Sequence, residues 1–464
     1  MRKVLTALIA LSLAVSIAPS QAATKAGDKC TVLGQKKSAN GKEFTCVKSG
    51  KKQVWNKGVV LAPADLAPQP SPEKLATCQI KDQRPGNPSS YWQGIAYPIS
   101  DFNREKLLPL TGKAKVLFVP IDFSDVPGKG KPLDFGQSQI DATNEWLAWY
   151  TNGKLSYEWQ THNSWIRAPK PSTQYNWAHP VHGGYQGQAT PQAQSTEQMI
   201  QQLVTAASPH FNFEGVGAVF LLVPKEVKAI ELEITQRNSI WQTAQGPQRF
   251  SFFTPGEEIL KRGDGLWGWW IHEVLHSHGF SGHIPFGFLN LHMMIGGWQS
   301  SALSSWDALA AGWSNEEDIY CLSKERVTKT KLTLSPLDRK QKGIKSVMVK
   351  LNDHQVLVFE SRRPEKWSSP QLGVNGLMAY VVDTKKITDR EGESAGEERE
   401  RTATYLTTDQ RKEKGSNLFV GCKPNKCDRT MIYARAGQTF TFDGIKVTLT
   451  KSGVNDEILL EKIS

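Results

Sequence analysis

Residues 267–283 read Trp-Gly-Trp-Trp-Ile-His-Glu-Val-Leu-His-Ser-His-Gly-Phe-Ser-Gly-His, and no other run restricts this chain as strongly. His272 and His276 are four residues apart, so on a helix they project from one face, one turn apart. Two imidazoles so placed can share one metal ion. Glu273 lies beside them, within reach of a proton on a water at that metal, and the residue types and spacing together point to metal-assisted hydrolysis. The competing reading is an amphipathic helix whose histidines face solvent. Trp267, Trp269, Trp270, Ile271, Val274 and Leu275 argue against it, because they make the helix mostly buried. Buried histidine and glutamate side chains need partners. Gly279 suits the left-handed position that ends a helix and turns the chain back.

The wider pattern resembles a known family. Metzincin-type peptidases extend the motif to H-E-x-x-H-x-x-G-x-x-H, with the last ligand ten residues after the first. Here that position is Gly282, and a histidine follows at His283. The resemblance implies His272, His276 and His283 as zinc ligands and Glu273 as the general base. His278 competes as third ligand only if the helix ends early, and His292 is the other nearby candidate. Residues 292–297 (His-Met-Met-Ile-Gly-Gly) resemble a Met-turn, with Met294 beneath the histidines; an ordinary core methionine is the alternative. Residues 303–313, from Leu303 through Ser304-Ser305-Trp306 to Gly312-Trp313, are similar to the "Leu-Ser-Ala-Trp … Leu-Gly-Trp" block of the immune inhibitor A family of secreted metallopeptidases. Lys115 to Asp125 resembles that family's opening strand, and Gly376 to Asp383 its strand after the catalytic part.

The resemblance implies an α+β chain: a zincin-like catalytic domain, in which the active-site helix lies across a twisted sheet, followed by a β-rich C-terminal domain. The function it implies is that of a secreted zinc-dependent endopeptidase with one catalytic Zn2+, acting on protein or peptide substrates. The departure is the third-ligand turn, where the family usually has Gly-Leu-Pro-Asp. That departure motivates an alternative, an inactive zincin-like protein. A second alternative is an exported cell-wall or carbohydrate-binding protein, prompted by 15 tryptophans. The oxyanion of a tetrahedral intermediate needs a donor across the cleft, for which Tyr320 and His292 are candidates. The apolar run Ala218–Val223 is a candidate wall of the cleft, since zinc peptidases hold extended substrates by β-type pairing along a sheet edge.

Composition fits export. Met1-Arg2-Lys3, an apolar run from Val4 to Ala18 and the small residues of Ser20-Gln21-Ala22 read as a signal peptide cleaved after Ala22. That apolar run is too short for an ordinary membrane span, and none later approaches the needed length. All six cysteines (Cys30, Cys46, Cys78, Cys321, Cys422 and Cys427) follow the leader, as in an oxidising compartment. Six cysteines allow 15 pairings. Cys30 with Cys46 and Cys422 with Cys427 are near neighbours in sequence, which leaves Cys78 with Cys321; a cysteine metal site is disfavoured without a C-x-x-C pair. The formal charge of +11 falls to +9 when Arg2 and Lys3 leave with the signal. Such a balance favours association with an anionic cell wall or membrane surface. Scattered basic residues in an exported chain argue against nucleic acid.

Along the chain, 1–22 is the signal peptide and 23–62 a small Cys-paired β module. It resembles modules at the N-termini of exported actinobacterial proteins and is either a spacer or a wall-binding unit acting through Trp55 and its lysines. Pro63, Pro68, Pro70 and Pro72 mark a stiff lead-in over 63–112. The catalytic domain spans 113–320. Val116–Ile121 and Ala218–Val223 read as buried strands, Ser138–Tyr150 and Gln198–Ala207 as helices, and Ser156–Thr161 as an edge or antiparallel strand. The β-rich domain spans 321–464, with strands at Lys329–Leu334, Ser346–Leu351, Gln355–Glu360, Gly376–Val382, Met431–Ala434 and Thr439–Leu449. The charge-dense run Lys385–Arg401 reads as an exposed loop. Its acidic side chains offer Ca2+ ligands but lack the alternate-position spacing of a dedicated calcium loop.

Overall fold

The computed structural model describes residues 25–39, 42–60, 69–81, 83, 107–175, 196–227, 234–256, 260, 265–280, 303–340, 342–363, 376–385, 403–411, 418 and 432–463. The expectations attached to the leader, Pro63, Pro68, His283, His292, Met294, Cys422, Cys427 and residues 386–400 lie outside these. The chain divides into two units, Met1–Pro68 and Gln69–Ser464.

In the first unit, β1 (Lys36–Ala39), β2 (Lys42–Ser49), β3 (Lys52–Trp55) and β4 (Val59–Val60) form one sheet, with every pairing made to β2 and antiparallel. Phe44 and Cys46 alternate toward one face of β2 and are buried with Cys30 and Trp55. The Cys30–Cys46 disulfide closes this small core, as expected. Trp55 is only 8% exposed. This corrects the expectation of a wall-binding Trp55: the indole is the bulk of a core too small to spare it.

The second unit opens with a short helix, α1 (Leu75–Cys78), and then the sheet that carries the candidate site. Its elements are β5 (Gly112–Asp122), α2 (Pro132–Tyr150), β6 (Leu155–Thr161), β7 (Ile166–Arg167), α3 (Thr196–Ala207), β8 (Val216–Leu222), β9 (Ile234–Thr243), β10 (Gly246–Thr254) and α4 (Leu266–His278). Strand order is β6-β5-β8-β10-β9, with β7 also on β5. The pairings β5–β6, β5–β8 and β8–β10 are parallel, and β9 alone runs antiparallel to its neighbour. Both faces are covered. On β5, Val116 and Phe118 join the core shared with α2 and α4, whereas Leu117, Val119 and Ile121 join the core under α3. That explains the continuous apolar runs seen in the sequence.

Two expectations are corrected in detail, and for Ser156–Thr161 the edge reading holds over the antiparallel one. Helix α2 starts at Pro132, six residues before Ser138, because Pro132 fills the first helical position, where a missing N–H costs nothing. Strand β6 is an edge strand but pairs in parallel. Strand β8 is bonded on both sides, by β5 and β10, so its backbone has no edge left for an extended substrate. Among the described residues the edge strand packed on α4 is β9, whose Gln242 backbone is bonded to the Gln201 side chain of α3.

Helix α5 (Ser305–Ala310) leads into two further sheets. One holds β11 (Ile319–Ser323), β13 (Ser346–Lys350), β14 (Gln355–Arg362), β15 (Gly376–Asp383), β16 (Ala403–Tyr405) and β17 (Tyr433–Ala434). The other holds β12 (Thr330–Leu334), β18 (Thr439–Phe442), β19 (Ile445–Lys451) and β20 (Asp456–Lys462). Their facing side chains, among them Leu322, Val347, Phe359, Phe440, Val447 and Ile458, make a sandwich core. The opposite face of the first sheet packs on Trp306 and Leu309 of α5 and on Cys78. The Cys78–Cys321 disulfide is present as expected. Buried Arg362 binds Glu360 and Asp338 and donates to the Leu303 carbonyl, while Glu360 accepts the Ser305 N–H. These bonds fix the entry to α5 against the sandwich. The region Thr439–Leu449, expected as one strand, is two, because Asp443 and Gly444 both adopt positive φ and turn the chain.

Candidate metal centre

Helix α4 carries the motif because its sequence is apolar almost all round. Trp269, Trp270, Ile271, Val274 and Leu275 are fully buried, and Trp270 lies 5.1–6.0 Å, centroid to centroid, from the rings of Phe118, Trp159 and Phe220 on the sheet. The helix starts at a glycine N-cap that offers no side-chain acceptor. Buried Gln139 of α2 supplies one instead, its Oε1 accepting the Trp267 N–H at 3.0 Å. The other end closes as the sequence suggested. Gly279 has φ of 104°; its N–H reaches the His276 carbonyl, and the Phe280 N–H reaches that of Leu275. This is a Schellman turn, which satisfies the last carbonyls of the helix.

That turn has a chemical consequence. It brings the Phe280 carbonyl to 2.9 Å from His276 Nδ1. A carbonyl only accepts, so Nδ1 carries the proton and Nε2 keeps its lone pair for a metal. The His272 and His276 rings are 5.1 Å apart and nearly perpendicular. Donor atoms of His272, Glu273 and His276 all lie within 4.8 Å of one another, and all three residues are buried. Two imidazoles and a carboxylate suit a borderline divalent cation such as zinc. This group could therefore hold a divalent metal ion.

Glu273 has two basic neighbours. Its Oε1 lies 3.7 Å from His272 Nε2, and its Oε2 lies 3.3 Å from an Arg237 guanidinium nitrogen. Arg237 stands on β9, the edge strand, and only 13% of its side chain is exposed. It escaped the sequence reading because β9 and β10 were not recognised as strands. A signal was present in the Ala244-Gln245-Gly246 turn between two runs containing Ile, Thr, Trp and Phe.

His278 is not a third ligand among the described residues. It is fully buried, with Nδ1 at 2.7 Å from the Pro109 carbonyl and Nε2 at 2.8 Å from the Tyr157 hydroxyl. Nδ1 must donate to a carbonyl, so a neutral ring accepts the Tyr157 proton at Nε2. Both nitrogens are used in tying α4 to β6 and to the chain before β5. Burial also pushes the Tyr157 hydroxyl far above its ordinary pKa, so it remains a donor. Tyr320, a candidate oxyanion donor, is corrected as well: it lies in the sandwich core on β11 and gives its hydroxyl proton to the Pro70 carbonyl. The group His272, Glu273 and His276 is the one cluster of three or more metal-ligating side chains found among the described residues. Comparison with known proteins gives no match to a family model and none among curated sequences.

Proposed function

We propose that this chain is an exported zinc-dependent endopeptidase of zincin type, similar to the immune inhibitor A family. One observation carries the reading. A single buried helical turn brings two imidazoles and the intervening carboxylate within 4.8 Å, with the His276 tautomer set by a backbone carbonyl. The sheet supports it, since the helix bearing the motif follows a parallel core and packs against β9, which is an antiparallel edge strand among the described residues, the kind of element along which an extended peptide can pair. The two disulfides support an oxidising compartment. Among the described residues, no helix is long and apolar enough to cross a membrane.

In this reading His272 and His276 hold the ion, and His283 completes the set. When bound, zinc supplies Lewis-acid polarisation of a carbonyl and acidifies a neighbouring water. Glu273 accepts the proton of the attacking water on a carboxylate oxygen and delivers it to the leaving amine. Arg237 holds that carboxylate in one orientation. The Phe280 carbonyl keeps His276 in the tautomer that leaves Nε2 unprotonated.

The test is metal analysis of the leaderless protein beside hydrolysis of internally quenched peptides. About one zinc per chain is expected. His272→Ala and His276→Ala should lose both metal and turnover, and Glu273→Gln should keep the metal and lose turnover by roughly 10²–10⁴-fold. His283→Ala reports the third ligand. A wild-type chain that takes up no zinc would overturn the reading in favour of an inactive relative.

A further inference from the structure

Basic residues are scattered along the chain, but acidic ones balance them unevenly, so the net positive charge is concentrated at one end. Between Lys25 and Val60 there are nine lysines against Asp28 and Glu43, a formal +7, while everything after Val60 carries only +2. The same unit holds three of the seven large apolar side chains exposed among the described residues: Val32 at 59%, Leu33 at 51% and Val47 at 37%.

Their placement is specific. Gln35 N–H bonds to the Val32 carbonyl at 3.1 Å, and Gly34 has φ of 79°. This is a type II turn with Leu33 and Gly34 at its corners, a conformation that requires a residue such as glycine at the third position. The base is fixed by the Cys30–Cys46 disulfide, by Gly34 N–H on the Cys46 carbonyl and by Cys46 N–H on the Gln35 carbonyl. Val32 and Leu33 are therefore displayed on a rigid tip.

Register shows what surrounds it. Phe44, Cys46 and Trp55 point to the core, so Thr45, Val47 and Val54 occupy the other face of the sheet. Lys36 lies opposite Thr45, Lys29 opposite Val54, and Lys52 opposite Ser49, and residues directly opposite share a face. Lys29, Lys36 and Lys52, all exposed, thus share that face with Val47, Lys29 and Lys36 in the segments that lead into and out of the turn and Lys52 on β3.

We propose that this face docks on an anionic lipid bilayer, with Val32 and Leu33 entering the headgroup region and Lys29, Lys36 and Lys52 meeting the lipid charges. The apolar tip separates this partner from a soluble anionic polymer. Lysines alone would suffice for a polymer, which offers exposed valine and leucine nothing to enter. A bilayer rewards both, since each lysine near an anionic surface and each aliphatic group buried at the acyl boundary adds to binding. Neither contribution is large alone, so docking should be reversible and salt-sensitive.

The experiment is sedimentation of the full leaderless chain with vesicles of phosphatidylcholine alone or with about 30% phosphatidylglycerol, near physiological salt. Binding to the anionic vesicles should exceed binding to neutral ones by tenfold or more. Lys29→Gln/Lys52→Gln should lose about tenfold, and Val32→Ser/Leu33→Ser a comparable factor. All these side chains are exposed, and an unchanged thermal transition verifies the fold. The Val32→Ser/Leu33→Ser variant should also bind soluble polyphosphate as tightly as wild type. The proposal is overturned by equal binding to neutral and anionic vesicles. It is equally overturned if the tip variant sediments like wild type, or if polyphosphate binds more tightly than the vesicles do; either result would make the face a polyanion site.

Discussion

At the scale of single residues, the candidate centre depends on two residues that are not among its metal-ligating candidates, Gly279 and Arg237. Gly279 reaches φ of 104°, and the turn it makes delivers the Phe280 carbonyl to His276. A Cβ at that φ costs about 1–2 kcal/mol. Gly279→Ala should therefore lower stability by about that amount in denaturant titration. Because the carbonyl sets the His276 tautomer, the same variant should bind zinc roughly 10–100-fold more weakly. A variant that loses stability but binds zinc as tightly as wild type would separate the turn from the histidine. Arg237 offers the complementary case. Its guanidinium binds the Glu273 carboxylate. Arg237→Ala should keep the metal yet lower kcat by as much as about 10²-fold, through a carboxylate that is no longer held in place. Arg237→Lys should recover part of that loss. Equal kcat in wild type and Arg237→Ala would leave the arginine a purely structural role.

At the scale of elements, α4 is a helix that begins badly and survives through its neighbours. Its N-cap is Gly265, its first turn has no acidic residue, and Gln139 of α2 accepts the Trp267 N–H in place of a local cap. Gln139→Ala should cost about 1–3 kcal/mol, since a partly buried N–H loses its acceptor, and should lower the thermal midpoint without changing the candidate metal-binding residues. An unchanged midpoint would mean that water replaces the amide. This dependence also shows what was legible from sequence. The motif, its burial, the Gly279 stop and most strands are local patterns: apolar runs, turn residues and fixed spacings. Strands β5 and β8 were visible because burial on both faces makes them apolar throughout. The β9–β10 hairpin was not, since β9 mixes Gln, Arg, Asn and Ser with its apolar residues. Its role is set by pairing with a strand that itself must be placed first. Arg237, Gln139 and the Pro109 and Phe280 carbonyls share that property. They act on α4 from other segments or through a backbone atom, and no spacing rule in the sequence reports such contacts. Trp55 illustrates the converse error: a tryptophan beside lysines suggests a binding surface, but a four-residue core needs it inside.

At the scale of the whole molecule, the segment that precedes the parallel sheet is fastened to the sandwich that follows it. Cys78 is bonded to Cys321 on β11 across 243 residues of sequence. Beside that disulfide, Glu73 forms a β-bridge with Cys321 through its backbone, accepts the Ser323 N–H on its carboxylate, and lies 3.6 Å from an Arg326 guanidinium nitrogen. Burial acts to raise the Glu73 pKa, but the Ser323 hydrogen bonds and the Arg326 charge outweigh it, and the carboxyl titrates below its ordinary value of 4.5. A carboxyl whose folded pKa is depressed contributes stability above its unfolded pKa and loses it as pH falls through the folded value. The fastening should therefore be fully present at neutral pH and should weaken only in acid below about 4.5. Glu73→Gln removes the charge at every pH while keeping the shape. Thermal midpoints of wild type and Glu73→Gln, with the disulfide intact in both, should differ most above pH 5 and converge as pH drops toward 3. A constant gap across that range would mean that the carboxylate charge contributes nothing and that the disulfide and the uncharged hydrogen bonds hold the segment. Convergence would show that the clasp has two parts, of which the ionic one opens in acid.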